Sequence, residues 1–253
     1  MVVLVRSHGN HSNRLFQNLH IEAFCIDNNI PFFNATFYDM AWLYTFPYNY
    51  FLAFVIILFF KIAKFFGFIH YTNFDNADQL ELYKQQLLRG RDRLVIVRGW
   101  GFRAFELVSK YSDFLKEKYS TKRTNKEFFL ICNKIKEYEI VLGVHIRRRD
   151  YKKWHGGKYA FDDATYSLFI SNFMKLQKRK KIIVLFFSDE DINFSSLYCP
   201  ADYLVSKNKY YIDYQLMGKC NYLIGHQVLS LPGQVFFTEF HACILKTLDK
   251  KYI

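Results

Sequence analysis

The stretch Ile140–Ile146 is apolar but for His145 and rich in β-branched residues, and it stops abruptly at Arg147-Arg148-Arg149-Asp150-Tyr151. Such a run reads as a buried strand, so a charged cluster begins where the strand ends. The same order recurs elsewhere. Val2–Val5 precedes a polar loop, Arg6–Asn13, after which Leu15, Phe16, Leu19, Ala23 and Ile26 follow at helical spacing. Leu94–Val97 runs into Gly99-Trp100-Gly101, and Lys181–Phe187 into Ser188-Asp189-Glu190. A helix after Asp162 and Asp163 carries Tyr166, Phe169, Ile170, Phe173 and Met174 on one face, and a short helix within Ile212–Cys220 leads to a strand at Tyr222–Ile224. Alternating strands and helices predict an α/β fold with a parallel sheet in the second half. The 253 residues suit one large domain or two lobes of about 100–150 residues each. The lysine-rich stretch Lys116–Lys136 predicts a lobe boundary, giving lobes 1–135 and 136–253.

In open α/β sheets ligands bind beyond the carboxyl ends of the strands. Three polar clusters sit there: Arg6–Arg14, His145–Tyr151 and Ser188–Asp191. On a strand His145 and Arg147 share a face and Arg148 points away. A guanidinium offers a planar fork of donors that suits phosphate oxygens and stays charged. Fixed beside a departing diphosphate, it would stabilise the transition state more than the ground state. The other reading is a solvated basic run with an Arg–Asp pair. Asp162 and Asp163 read as helix caps, and His155-Gly156-Gly157 as a turn. His8 and His11 lie on a loop with no third ligand, so no metal is expected there.

A net charge of +12 fits nucleic acid, an anionic membrane surface, a phosphorylated substrate, or solvent alone. A basic nucleic-acid-binding protein is the reading from another class, but no nucleic-acid motif occurs and no nucleic-acid partner is expected. The five cysteines (Cys25, Cys132, Cys199, Cys220, Cys243) are odd in number, widely spaced and without a Cys-x-x-Cys pair. That argues against a disulfide framework and for a cytoplasmic location. The first residues, MVVLVRSHGN, lack the pattern of a signal peptide. Met40–Phe60 has no charged residue and Phe51–Phe60 is an unbroken apolar run, interrupted upstream by Pro47 and Asn49 and followed by Lys61 and Lys64. A buried helix, a helix in the membrane interface and a membrane span all fit this segment. The expectation for Phe51–Phe68 is salt-dependent association with anionic membranes without crossing them.

The run His145-Ile146-Arg147-Arg148-Arg149-Asp150-Tyr151 resembles the His-x-Arg-Arg-Gly-Asp-Tyr motif of α-1,2-fucosyltransferases and their α-1,6 and O-fucosyl relatives. Gly9-Asn10-His11-Ser12-Asn13-Arg14-Leu15-Phe16-Gln17 is similar to that family's Gly-x-Gly-Asn-Gln-x-Phe-Gln start. Phe187-Ser188-Asp189-Glu190 resembles its second motif, and Asp213, Leu216, Met217, Cys220 and Ile224-Gly225 resemble the elements before its third. The matches run in the family's order from residue 1 to about 225.

The resemblance implies a GT-B-like architecture of two Rossmann-like lobes. The donor site would lie in the cleft, the first lobe on the acceptor side, and the nucleotide sugar mainly on the second. It implies inverting, metal-independent transfer of fucose from GDP-fucose to a glycan hydroxyl, with no cofactor, the GDP-sugar being a substrate. Arg147 would hold the diphosphate with His145 beside it, and Asn13 would face the reaction centre. Arg14, Ser188, Asp189 and Glu190 would serve the donor, and Tyr151, Asp150 and His155 the acceptor. The Asp189-Glu190-Asp191 triplet also fits a metal-held diphosphate, but Arg147 already supplies the positive charge. No residue stands out as general base; Asn13, Glu22 and Asp150 are candidate orienters. A glycan or lipid-linked oligosaccharide at the inner membrane face would suit the basic first lobe.

Three departures qualify the resemblance. Two residues, His11-Ser12, are inserted in the first loop; Arg149 replaces the family's Gly, and would strain the turn if that Gly has positive φ. The Ser-Thr-Phe-Ser loop expected after Gly225 is replaced by His226-Gln227-Val228-Leu229. Codons for His226–Glu239 can be chosen that, started two bases later, read Ser-Ser-Thr-Phe-Ser-Ala-Trp-Ala-Ser-Phe-Phe-Tyr-Gly. A frame-shifted tail and an incomplete second lobe follow as an expectation, with an inactive remnant as the alternative to an active enzyme.

Overall fold

A computed structural model describes residues 1–6, 9, 11–67, 71–99, 101–157, 160–177 and 179–225. The expected frame-shifted tail lies outside the described residues, as do His8 and the side chain of His155. The chain divides into two compact units, Met1–Lys122 and Arg123–Ile253. The division falls inside the lysine-rich stretch but upstream of the expected 135/136 boundary. The reason is packing: Phe128, Ile131 and Ile135 of the helix Lys126–Ile135 are buried in the second unit's core.

The first unit runs β1 (Val2–Arg6), α1 (His11–Asp27), β2 (Phe32–Asn34), α2 (Tyr50–Phe65), β3 (Thr72–Asn73), α3 (Leu80–Leu88), β4 (Val95–Arg98), α4 (Phe105–Lys110) and α5 (Ser112–Lys118). Its parallel sheet has the order β2-β1-β4-β3. Alternation along β1 decides the layers. Val2 and Leu4 meet Ile21, Phe24 and Cys25 of α1 and Tyr83 and Leu87 of α3, while Val3 and Val5 meet Ile56, Ile57 and Phe60 of α2. The sequence missed β2, β3 and α3–α5, which are short and lack a clean period. It also placed His11 and Asn13 on a loop, whereas α1 begins at His11. Gly9 makes that entry: its φ is +74°, and a Cβ there would lie 2.5 Å from Asn13 Nδ2.

The second unit runs α6 (Lys126–Ile135), β5 (Ile140–Ile146), α7 (Asp163–Leu176), β6 (Ile182–Ser188), β7 (Asp202–Ser206), α8 (Tyr210–Met217) and β8 (Tyr222–Ile224). Its strands are parallel in the order β7-β6-β5-β8. Ile140, Leu142, Val144 and Ile146 of β5 pack with Tyr166, Ile170 and Phe173 of α7. Val141, with Ile183, Leu185 and Phe187 of β6, packs with α6 and α8. Helices thus cover both faces, and the expected α/β class with a parallel sheet is present in both units. Gly143 lets β8 close on β5, since a Cβ there would lie 2.3 Å from Leu223 and 2.9 Å from Cys220 Sγ. The strand order reverses between β5 and β8, so this sheet has a topological switch point at the carboxyl ends of those strands.

The helix α2 settles part of the Met40–Phe60 reading. It is capped by Asn49, whose side chain accepts from Leu52 N at 2.8 Å, and it ends before Gly67, with φ +75°. Only Ala53 and Ala63 are buried along it, so the buried-helix reading is corrected: the hydrophobic residues outnumber the positions that face the sheet. No helix among the described residues is long and apolar enough to cross a membrane.

Candidate functional site

The loop leaving β5 lies at the switch point, and its arginines have separate environments. Arg147 Nε and Nη2 donate to the two carboxylate oxygens of Asp150 at 3.0 and 2.5 Å. Its guanidinium carbon also sits 4.8 Å from the centroid of the Tyr151 ring. Two of the five N–H groups of a guanidinium are used this way. The other three have no hydrogen-bond partner among the described residues. The side chain keeps 27% of its accessible surface. Asp150 is held below the usual carboxylate range chiefly by its hydrogen bond from Arg147, which makes it a weak base.

Arg148 points elsewhere, as alternation predicts, but not into solvent. Its Nε donates to Phe161 O at 2.8 Å, Nη2 to Asp163 at 2.5 Å and Nη1 to Glu190 at 3.3 Å. All three groups of its fork are engaged, and the side chain is only 15% exposed. Lys cannot make this planar set of contacts, so Arg148→Lys should loosen the loop.

The carboxylates assigned to the donor are occupied by this loop. Asp189 accepts from the backbone amides of Arg148 and Arg149 at 3.0 and 3.3 Å. Glu190 takes Arg148 and, at 3.2 Å, Lys152. Ser188 Oγ accepts from Glu190 N at 3.2 Å. One carbonyl and three carboxylates thus clamp the turn, and amide-to-carboxylate bonds are among the stronger kind. Arg149 fits without strain: among the described non-glycine residues, positive φ occurs only at Asn29 and Arg179.

Tyr151 is 5% exposed and lies under Arg147. The ring, expected on the acceptor side, packs beneath the Arg147 guanidinium and so supports it. His145 is half-buried, and its carbonyl accepts from Tyr166 OH at 3.2 Å. His155 falls in a 3-10 turn, Trp154–Gly157, where Gly156 and Gly157 have φ of +68° and +81°. Asp162 caps α7 by accepting from Thr165 N at 2.8 Å. Asp163 does not cap; it binds Arg148 and Ser196 instead.

In the first unit the candidates meet different partners. Arg14 forks onto Asp39 at 2.8 and 2.7 Å, and also donates to Thr36 O. Asp39 is held below its usual range chiefly by that bond. Asn13 lies one turn into α1, against Gly9. Glu22 is buried among Tyr119 OH at 2.5 Å, Asn18 Nδ2 at 3.0 Å and Lys118, an arrangement suited to holding α1 to α5. His11 is buried with Nε2 2.6 Å from Tyr44 OH. Burial first, then Arg14, lowers its pKa to about 4. Burial, then Arg103, lowers that of His20 to about 3.

Sequence reasoning missed Asp39, Asp163 and the Ser206–Asp213 pair as partners in these networks. Asp213 accepts from Ser206 Oγ at 2.5 Å at the carboxyl end of β7, and burial raises its pKa to about 6. The motif resemblance singles out Asp213, but nothing in the sequence marks its burial or its pairing with Ser206.

No known protein family matches the chain, and no curated protein sequence does. Two crystal structures of POFUT1 align with it. The one in complex with GDP-fucose has a TM-score of 0.49 and 9% identity, and the apo form has 0.40 and 11%; each alignment covers 93% of both chains.

Proposed function

We propose that the chain is a glycosyltransferase of the fucosyltransferase type, built as two Rossmann-like lobes in the GT-B manner. It moves a sugar, most simply fucose from GDP-fucose, onto a glycan hydroxyl with inversion and without a metal. The reading rests on Arg147: at a switch point, one guanidinium is oriented by Asp150 and Tyr151 and keeps three donors for an anion. Four motifs in the family's order support the same reading.

In this mechanism Arg147 meets the diphosphate as the sugar–oxygen bond lengthens and charge builds on the leaving group. Its orientation precedes binding, so little reorganisation opposes the step. Arg148, Asp189 and Glu190 fix the loop. Asp150 orients Arg147 rather than taking the hydroxyl proton, since its pKa is depressed. A dissociative transition state asks little of a base. The acceptor is a glycan, free or on a lipid carrier.

The test is transfer and binding with a panel of GDP-sugars. GDP-fucose turnover abolished by Arg147→Ala, with the fold intact by circular dichroism, is the expected result. Turnover unaffected by Arg147→Ala would end the reading. Binding absent in the chain as written but present after a one-base repair near codon 226 would select the frame-shifted remnant.

A further inference from the structure

The helix α2 uses one face to hold the first unit together and leaves the other bare. Ile56, Ile57 and Phe60 pack against Val3 and Val5 of β1 and against Ala35, and Ala53 and Ala63 are buried. On the opposite side Phe51, Phe54, Leu58, Ile62 and Phe65 are exposed along the whole length, Phe51 by 77% and Phe65 by 85%. An apolar face of this size is uncommon on soluble proteins and marks a docking surface.

Charge identifies the occupant. At about 3.6 residues per turn, Lys61 and Lys64 fall together on one border of the apolar face. On the other border Val55 and Phe59 line an apolar cleft with Met1 and Leu94. Exposed Arg91 and Arg93 stand beside Leu94, with Asp92 the one carboxylate in that run. No carboxylate occurs on α2 itself. An apolar face with basic borders matches the boundary between acyl chains and anionic headgroups, with lysine stems reaching outward to phosphate. A second copy fits less well: in a two-fold contact the face meets itself, and no carboxylate on the helix answers the lysines.

We propose that the outward face of α2 docks the protein on an anionic bilayer, lying along the surface. The 16 residues of α2 make about 24 Å of helix, short of the roughly 30 Å hydrocarbon core, and the inner face is held to the sheet. The phenylalanines enter the acyl boundary while Lys61 and Lys64 pair with headgroups. This surface plays no part in the transfer chemistry, so it stands or falls separately.

The experiment is flotation of the full chain with phosphatidylcholine vesicles, with and without phosphatidylglycerol, at low and high salt. Flotation should require phosphatidylglycerol and weaken with salt. Phe51→Glu with Phe65→Glu, and separately Lys61→Glu with Lys64→Glu, should each cut membrane partition on the order of tenfold or more. Both phenylalanines are largely exposed, so melting temperatures should hold. Wild-type protein that stays with the soluble fraction beside anionic vesicles would overturn the proposal, as would unchanged flotation of both double variants. A solution dimer that Phe51→Glu with Phe65→Glu converts to monomer would assign the face to a second copy instead.

Discussion

Each unit carries an arginine just past its first strand, Arg14 after β1 and Arg147 after β5, and the two differ in what answers them. Arg14 meets Asp39 with both terminal nitrogens and adds Thr36 O. Arg147 meets Asp150 from only three residues away, through one edge of the fork, and leaves the rest open. A distant carboxylate ties the first guanidinium into the structure, and the Nε it leaves unpaired is buried. A local one aims the second outward, and no nitrogen of Arg147 is both buried and unpaired. Position after a strand therefore nominates an arginine, and whether its unpaired N–H groups are buried or open decides whether it supports the fold or serves a ligand.

The largest expected effect follows from that contrast. Lys keeps the charge but loses the fork, so Arg147→Lys should lower turnover on the order of 10²-fold or more with little change in melting temperature. Arg14→Lys should do the reverse. Breaking its charged hydrogen bonds costs about 1.5–3 kcal/mol each at most, less for the half-exposed Asp39 side, and shows as a lower denaturant midpoint. Equal small losses of turnover at both positions would erase the comparison and favour a solvated basic run at Arg147.

Between these extremes stands Arg148. It is closed like Arg14 but belongs to the same loop as Arg147, so Arg148→Lys should reduce both stability and turnover. Asp189→Asn tests the clamp itself, because it leaves a weaker acceptor for the amides of Arg148 and Arg149. Turnover should fall several-fold through a looser Arg147, and kcat should suffer more than KM. A change confined to KM would mean that Asp189 touches substrate directly.

The frame of the molecule was legible where period and burial agree. The runs Val2–Val5, Ile140–Ile146 and Lys181–Phe187 were read as strands and lie within a residue or so of β1, β5 and β6. The short edge strands β2, β3 and β7 were not legible, because two to five residues of mixed polarity carry no period. Within the site, Arg147 and the loop ends could be picked out by position. Its support could not: Asp163 and Glu190 reach Arg148 across 15 and 42 residues of sequence. Their side chains looked like caps or nucleotide contacts. The burial of Tyr151 was equally hidden, since a Tyr after a polar cluster gives no sign of whether its ring is buried. For α2 the sequence left a buried, an interfacial and a spanning helix open, because an unbroken apolar run looks alike whether both its faces are covered or one.

The smallest effects come from buried ionisable groups, which the two units hold in opposite senses. In the second unit Asp213 is raised from 3.8 to about 6, chiefly by burial. Its folded form binds a proton that the unfolded chain has released, so stability is fully present below pH about 4 and is lost as pH rises through 6. In the first unit His11 and His20 are lowered from 6.5 to about 4 and about 3, chiefly by burial. The unfolded chain then binds protons that the folded form refuses, so stability is present above pH 6.5 and is lost as pH falls. Thermal melts of the full chain between pH 4 and 7 separate these terms by variant. Asn at position 213 keeps a hydrogen-bonding group for Ser206 without a charge to bury. The melting temperature of Asp213→Asn should therefore rise relative to wild type as pH climbs from 4 to above 6. His20→Gln should start below wild type at pH 7, having lost its bond from Ala104 N at 2.9 Å, and close that gap as pH falls. A difference that stays level across pH for Asp213→Asn would mean that its carboxylate is solvated in the folded chain. Parallel slopes for the two variants would remove this contrast between the units while leaving that between Arg14 and Arg147 in place.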